Sequence, residues 1–297
     1  MLTIDGSRGA CADEGGARDT RAADAVGRTA RLELAFEVVR GRTSLARAYA
    51  EPPFRIGRAF DLDGAAYVIL VCAGPGVFPG DRLAQSIHVG RGARVVLATQ
   101  AALQAHPAAD ASGDAAALHQ RYTVDDDGEL HCHWDPLIPF AGARVEQRVD
   151  VRLAAGSRLY WNDALMAGRV GRGERWRFDR LAHELSVSID GRRAYLERYT
   201  LTPRDAAIDR AWTTGDAAYF STALVRDPRA TAEMVEALHG RLAGIGGVTA
   251  AVDLVEPSLA VARLIGARGA SFAHARTSYR EWTLADIFQR PGLAARK

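Results

Sequence analysis

Lysine is almost missing from this sequence: of 38 lysine and arginine side chains, only Lys297 is a lysine. The cations are arginines in an alanine- and glycine-rich chain, a compositional bias that carries no phosphate-binding signal by itself. Thirty-six acids nearly balance them, leaving a formal net charge of +2. A dedicated nucleic-acid binder concentrates basic charge on one face, so this balance argues against that class. Cysteine is scarce too. Cys11, Cys72 and Cys132 are odd in number and widely spaced, which rules out a disulfide framework and suits a reducing compartment. No apolar run approaches the roughly 20 residues that span a bilayer, and residues 1–28 lack the apolar stretch of a signal peptide. A cytoplasmic, soluble protein is expected. Catalytic signatures are also missing: there is no Gly-x-Ser-x-Gly elbow, no His-Glu-x-x-His, and no cysteine in a protease context. Asp81, Asp135, Asp163 and Glu174 read as acids scattered in turns.

What is present is mostly strand. Residues 1–28 are too polar and glycine-rich to bury themselves and read as a disordered leader. A single β-rich domain is expected over 29–290, with a flexible tail at 291–297. Leu32, Leu34, Phe36 and Val38 alternate with Glu33, Ala35 and Glu37, the period of a half-buried strand. Ala66–Cys72 is a continuous apolar run, short enough for a buried strand. From there to about residue 203 one unit recurs as strand, glycine turn, strand, with turns at Gly90-Arg91-Gly92, Asp127-Gly128, Gly156 and Asp190-Gly191. Asp-Gly pairs favour hairpins because both central residues take positive φ. The expected fold is mainly β, a β-helix-like or layered sheet structure built of stacked hairpins. Two α-helices belong to the C-terminal third. Ala232, Val235, Leu238 and Leu242 share a face between Pro228 and the glycines from 244, and Phe272, Ala275 and Tyr279 mark a last helix over 270–287.

Two segments invite a chemical reading. The loop Ala73–Asp81 follows the buried strand, but it has neither the lysine nor the hydroxyl of a phosphate loop, and two prolines remove donors. Asp81 reads either as a turn carboxylate accepting backbone N–H bonds or as a transient ligand for a passing cation. His131-Cys132-His133 is the compact cluster of soft ligands. Alternation puts Cys132 on one face of a strand and the two imidazoles on the other, a weak and transient metal contact at most, since a structural zinc site wants four ligands.

Four strings, in order, resemble the UreD/UreH urease accessory protein family: Gly74–Asp81; Ala98-Thr99-Gln100-Ala101-Ala102; Leu130–Pro136 with Ile138–Ala143; and Asp163–Arg169 with Gly173–Trp176. The likeness covers about residues 30–200, and the C-terminal third matches in length and helix content. Pro75, Pro79, Gln104 and Trp134-Asp135 depart from the family's usual pattern. The resemblance implies a β-helical or layered fold, no catalysis and no permanently bound cofactor. It also implies nickel in transit along an internal route, and partners UreF, the GTPase UreG and apo-urease. Two other readings stay open: a cupin-like metal-dependent enzyme using His131 and His133, and a generic β-rich interaction module.

Overall fold

The computed structural model describes residues 27–107 and 114–294. The leader expected at 1–28 lies outside the described residues except for Gly27 and Arg28. Of the expected tail, 295–297 lie outside them. Pro291–Leu293 forms a 3-10 turn that buries Leu293, so the packed chain reaches beyond the boundary expected at 290.

The chain runs through β1 (Thr29–Val39), β2 (Arg42–Ala50), β3 (Phe54–Ile56), β4 (Phe60–Leu62), β5 (Ala65–Cys72), β6 (Arg82–Val89), β7 (Arg94–Thr99) and β8 (Leu103–Ala105). It continues through β9 (Ala116–Val124), β10 (Glu129–His133), β11 (Leu137–Pro139), β12 (Arg144–Leu153), β13 (Arg158–Met166), β14 (Arg180–Ile189) and β15 (Arg192–Leu201). The last third holds β16 (Tyr219–Arg226), α1 (Ala232–Ala243), β17 (Val248–Glu256), β18 (Leu259–Gly266) and α2 (Gly269–Asp286). The layered, mainly β architecture and the two C-terminal helices are those the sequence implies.

The strands form two sheets, one ordered β15-β14-β12-β9-β6-β1-β2, the other built on β17-β18-β16-β13-β10-β7-β5-β3. The turns expected to make hairpins mostly do something else. β6, β9, β12 and β14 pair parallel in the first sheet, and β5, β7, β10 and β13 pair parallel in the second. The turns at 90–93, 125–128 and 154–157 therefore carry the chain across from one sheet to the other, and each recurring unit is one coil of a β-helix. Asp127 has φ 57°, but Gly128 is not in the left-handed region, so the pair lacks the two positive φ values of a hairpin turn. Arg40-Gly41, Asp63-Gly64 and Asp190-Gly191 do have them, and these turns close antiparallel pairs β1–β2, β4–β5 and β14–β15.

The crossing turns stack on one another. Gly92 N donates to Asp126 O, Arg158 N to Gly128 O, and Gly156 N to the Asp126 carboxylate at 3.0 Å. A Cβ at Gly156 would sit 2.5 Å from Asp126 Oδ1, which is why this turn takes glycine. This end of the coil is sealed by backbone.

Three apolar clusters follow from the layering. One fills the space between the sheets behind the stacked turns, with Leu34, Phe36, Tyr122, Trp161 and Leu185 among its members. A second lies between the outer face of the β13-containing sheet and the helices. It gathers Val235, Leu238 and Leu242 of α1 with Phe272, Ala275 and Tyr279 of α2, the two stripes read in the sequence except for Ala232, which is exposed at the start of α1. The third, around Val77, Leu118, Val145, Trp176 and Phe178, closes the opposite end. Thr231 caps α1, accepting from Met234 N at 3.3 Å. The solvent face of the first sheet carries opposed charges, such as Arg198 and Glu184 at 2.7 Å.

One row of charge is buried. Glu129 lies between Arg94 and Arg158, its register partners on the two flanking parallel strands, and is 1% exposed. Arg158 Nη2 lies 2.5 Å from its carboxylate, Arg94 Nε 3.3 Å away, and His131 Nε2 2.7 Å away. Burial pushes the Glu129 pKa up, but the His131 contact and the two guanidiniums outweigh it and hold the carboxyl at about 2, against an ordinary 4.5. A depressed carboxyl contributes stability that is present above its unfolded pKa and lost as pH falls towards the folded one. Wild-type protein is therefore expected to lose on the order of 3 kcal/mol between pH 4.5 and pH 2 from this group. Urea denaturation across that range should show the loss in wild type and a flatter profile in Glu129→Gln.

Candidate functional site

Opposite the stacked turns, the space between the sheets is not filled. A cavity of about 640 Å³ lies there, between the first and third apolar clusters, and reaches the loops after β5 and β7. Its position follows from the strands' inward faces. Behind the turns, the inward residues are Val, Leu, Ile and aromatics. Towards the other end, β6, β9, β12, β14 and β15 each substitute a polar side chain: Gln85, Gln120, Gln147, His183 and Tyr199 with Glu197. Parallel register sets Gln85 beside Gln120, and Gln147 beside His183, which is in turn opposite Tyr199. The facing sheet contributes Thr99, Asp135, Asp163 and Thr222.

These groups bond mainly to each other. Gln85 Nε2 donates to Tyr122 Oη at 2.5 Å, and Tyr122 donates to Gln120 Oε1 at 3.0 Å. His183 Nδ1 lies 3.2 Å from Gln147 Oε1, and its ring stacks on Tyr199. Trp161 Nε1 donates to Asp163 Oδ2 at 3.2 Å, and Thr99 Oγ1 to Asp135 at 2.9 Å. Asp163 belongs to strand β13 rather than to a turn as the sequence suggested. Burial raises its pKa, and the neighbouring Glu197 charge adds to the rise while His183 opposes it. The arrangement is a polar band with carboxylates on two walls, set in an otherwise largely apolar chamber, able to solvate a small cation without enclosing it. Among the described residues, no three His, Cys, Asp or Glu side chains gather as a metal site.

The residues singled out in the sequence fall elsewhere. Cys132 is fully buried between the sheets, whereas Glu129, His131 and His133 alternate to the outer face. There His131 packs edge-on against Phe288, 4.7 Å between ring centroids, and bonds Glu129. The three soft ligands therefore do not converge, because one strand presents Cys132 and the imidazoles to opposite layers. A cupin-like site on His131 and His133 also lacks its setting, since the sheets close no barrel and both imidazoles face away from the chamber.

Asp81 is 1% exposed and both its oxygens are engaged. Oδ1 accepts from Arg28 N at 2.7 Å, and Oδ2 from Phe78 N at 2.9 Å and Arg28 Nη2 at 2.5 Å. Burial acts to raise its pKa, but Arg28 and the two backbone donors outweigh it and lower it. The same Arg28 Nη2 donates to Gly76 O at 2.8 Å. Gly76, at φ 131°, passes so close to Gln104 O that a Cβ would lie 2.1 Å from it. Val77 N then donates to that carbonyl, adding a bridge beside β8. The Gly74–Asp81 loop is thus pinned at the chamber's rim, and Asp81 clasps it to the start of β1.

The chamber was not read from the sequence. Its signal was a polar interruption at matching depth in successive strands, visible only once the parallel register is known.

Comparison with known proteins adds the class. A profile described as UreD urease accessory protein matches residues 28–296. The chain is 38% identical over 208 residues to the urease accessory protein UreD of Sorangium cellulosum, covering 69% of this chain and 64% of that one. It is 32% identical over 236 residues to UreD 2 of Streptomyces griseus, 77% of this chain and 80% of that one. With UreD of Deinococcus radiodurans it shares 29% over 283 residues, 91% and 95% of the two chains. All three relatives are named as accessory proteins of urease. The chain belongs to the UreD family.

The Arg28–Asp81 clasp has a measurable consequence. Asp81→Ala leaves two backbone donors and Arg28 without their acceptor, at about 2 kcal/mol. Asp81→Asn keeps the acceptor for Phe78 N but loses the charge opposite Arg28, and should fall between wild type and Ala. Thermal melts of the three proteins check the order.

Proposed function

We propose that this protein serves urease maturation as a scaffold that passes nickel, as cargo, through the chamber between its sheets towards apo-urease. The supporting observation is the chamber itself: an open, largely apolar interior crossed by a band of amides, with carboxylates on facing walls, in a chain of the UreD family. Passage needs ligands strong enough to replace some hydration and too few to trap the ion, and amide oxygens with isolated carboxylates meet both needs for a borderline cation. Gln85, Gln120 and Gln147 offer neutral oxygens, and Asp163 and Glu197 offer charge. The scaffold works with UreF and the GTPase UreG in the cytoplasm and carries out no chemistry itself; nucleotide hydrolysis belongs to the GTPase. Asp81 and Arg28 shape the rim rather than bind the ion, and His131 with His133 support the helical layer.

Loss of the gene is expected to leave urease subunits made but nickel-poor. Full urease activity in a deletion strain at limiting nickel sinks the assignment. The route is tested more finely by Gln147→Trp, which puts an indole into the chamber from one wall. With the accessory complex still assembling in pull-downs, urease activation should drop at least fivefold. Unchanged activation in that variant moves the route out of the chamber.

A further inference from the structure

The chamber has a side wall that differs from the rest. Along one flank of the coil, the end strand β15 of the first sheet faces β16 and β18 of the second, and Glu197 of β15 points inward there, 8% exposed. Its carboxylate has three partners. Tyr195 Oη donates to Oε2 at 2.7 Å, Thr222 Oγ1 lies 3.2 Å from both oxygens, and Arg263 Nη2 lies 2.8 Å from Oε2. Tyr195 and Thr222 are neutral. The charge of Glu197 is met by Arg263, which reaches over from β18 with its side chain 59% exposed and also donates to Tyr195 Oη at 2.9 Å.

Three features set this pair apart from an ordinary stitch between sheets. Both residues line the chamber, so the ion pair stands between its interior and solvent. The two sheets already have a stitch nearby that does not border the chamber: Arg192 of β15 holds Glu256 of β17 at 2.9 Å. And the two partners are unequally free. Glu197 is buried and fixed by two hydroxyls, whereas Arg263 is a long side chain, 59% exposed, that can swing into solvent. An ion arriving beside Glu197 needs only to replace Arg263. The hydroxyl bonds that hold the carboxylate in place are untouched.

We propose that Arg263 is a tethered stand-in cation: it neutralises Glu197 while the chamber is empty, yields to a divalent metal ion that binds the Glu197 carboxylate, and returns to displace that ion. This deepens the reading of the chamber as a nickel route and rests on it for the identity of the ion. The guanidinium sets how long the ion stays. With Arg263 present, the carboxylate is a weak, exchangeable ligand. Without it, the same carboxylate is an uncompensated anion held by two hydroxyls in a half-enclosed chamber, where attraction for a cation is stronger than in open water.

The test is retention of Ni(II), supplied as its chloride alone, by the full-length chain purified in its accessory complex, measured by equilibrium dialysis. Arg263→Gln keeps a donor for Tyr195 and removes the charge; it should bind one additional Ni(II) per chain at least tenfold more tightly than wild type. Arg263→Lys keeps the charge and should match wild type. Arg263→Gln combined with Glu197→Gln should lose the added retention. Unchanged retention in an assembled Arg263→Gln complex overturns the proposal, as does added retention that survives removal of the Glu197 charge. Arg263→Met provides a second neutral variant with the same expectation, and failure of both neutral variants to assemble assigns the ion pair to the fold and equally overturns it. Because retention is read without urease, it is decided separately from passage, which the Gln147→Trp activation assay addresses.

Discussion

Parallel neighbours cannot be joined by a tight turn, because the chain ends one strand at the far end from where the next must begin. Everything else in this molecule depends on that constraint. Here the return path is itself a strand, in the opposite layer, so each coil contributes to both sheets and no helix is needed to cross. Two consequences follow at once. The short crossing turns fall at one end, where their backbone groups bond to each other from coil to coil, and the longer returns fall at the other. The interior must be filled by inward side chains from two facing sheets, and its character can change from end to end as they change. Closely packed behind the turns and interrupted by polar side chains beyond them, the same strands yield a core and a chamber.

The helical layer is tied to the chamber's wall by a buried cation. Arg276 of α2 donates from Nε to Asn162 Oδ1 at 2.8 Å and from Nη2 to Trp134 O at 2.8 Å, and is 6% exposed. Burial lowers its pKa, the direction expected of a cation removed from water. Asn162 is the sole asparagine of the chain and directly precedes Asp163, which faces the other way into the chamber. One β13 dipeptide thus anchors α2 with one side chain and lines the cavity with the next. Tilting or loosening α2 would act on the chamber wall through a two-residue lever. The Glu129 row, on the same outer face nearer the turns, links its neighbouring strands by charge.

The sequence showed the periodicity that made these elements, and less of their arrangement. Alternation over Leu32–Phe36 and the helical stripes at Val235, Leu238, Leu242, Phe272, Ala275 and Tyr279 are local patterns, set by which face of one element is wet, and they appear in the structure as read. Val38 and Ala232, at the ends of their elements, are instead exposed. The turn at Asp127-Gly128 is different. The same dipeptide serves a hairpin or a crossing, and what separates them is the backbone angle at Gly128, which the partner coil selects. The His131-Cys132-His133 cluster was conspicuous because its residues adjoin in the chain, yet adjacency on a strand guarantees opposite faces. The chamber residues had the reverse problem. Gln85, Gln120, Gln147 and His183 lie tens of residues apart and meet only through parallel register, so no spacing rule within the sequence could gather them.

The clasp between Arg28 and Asp81 spans 53 residues of chain, and β1 reaches its coil neighbour only when Leu32 comes to lie beside Gln85. Non-local closure of this kind slows folding. During synthesis β1 and β2 emerge first and can form their hairpin at once. Its apolar face, Leu32, Leu34 and Phe36, then has no facing layer until β5, β6 and β7 have followed. The earliest part of the domain to leave the ribosome is therefore among the last to be covered, and for that interval it is a sticky hairpin waiting for the coil to be wound beneath it.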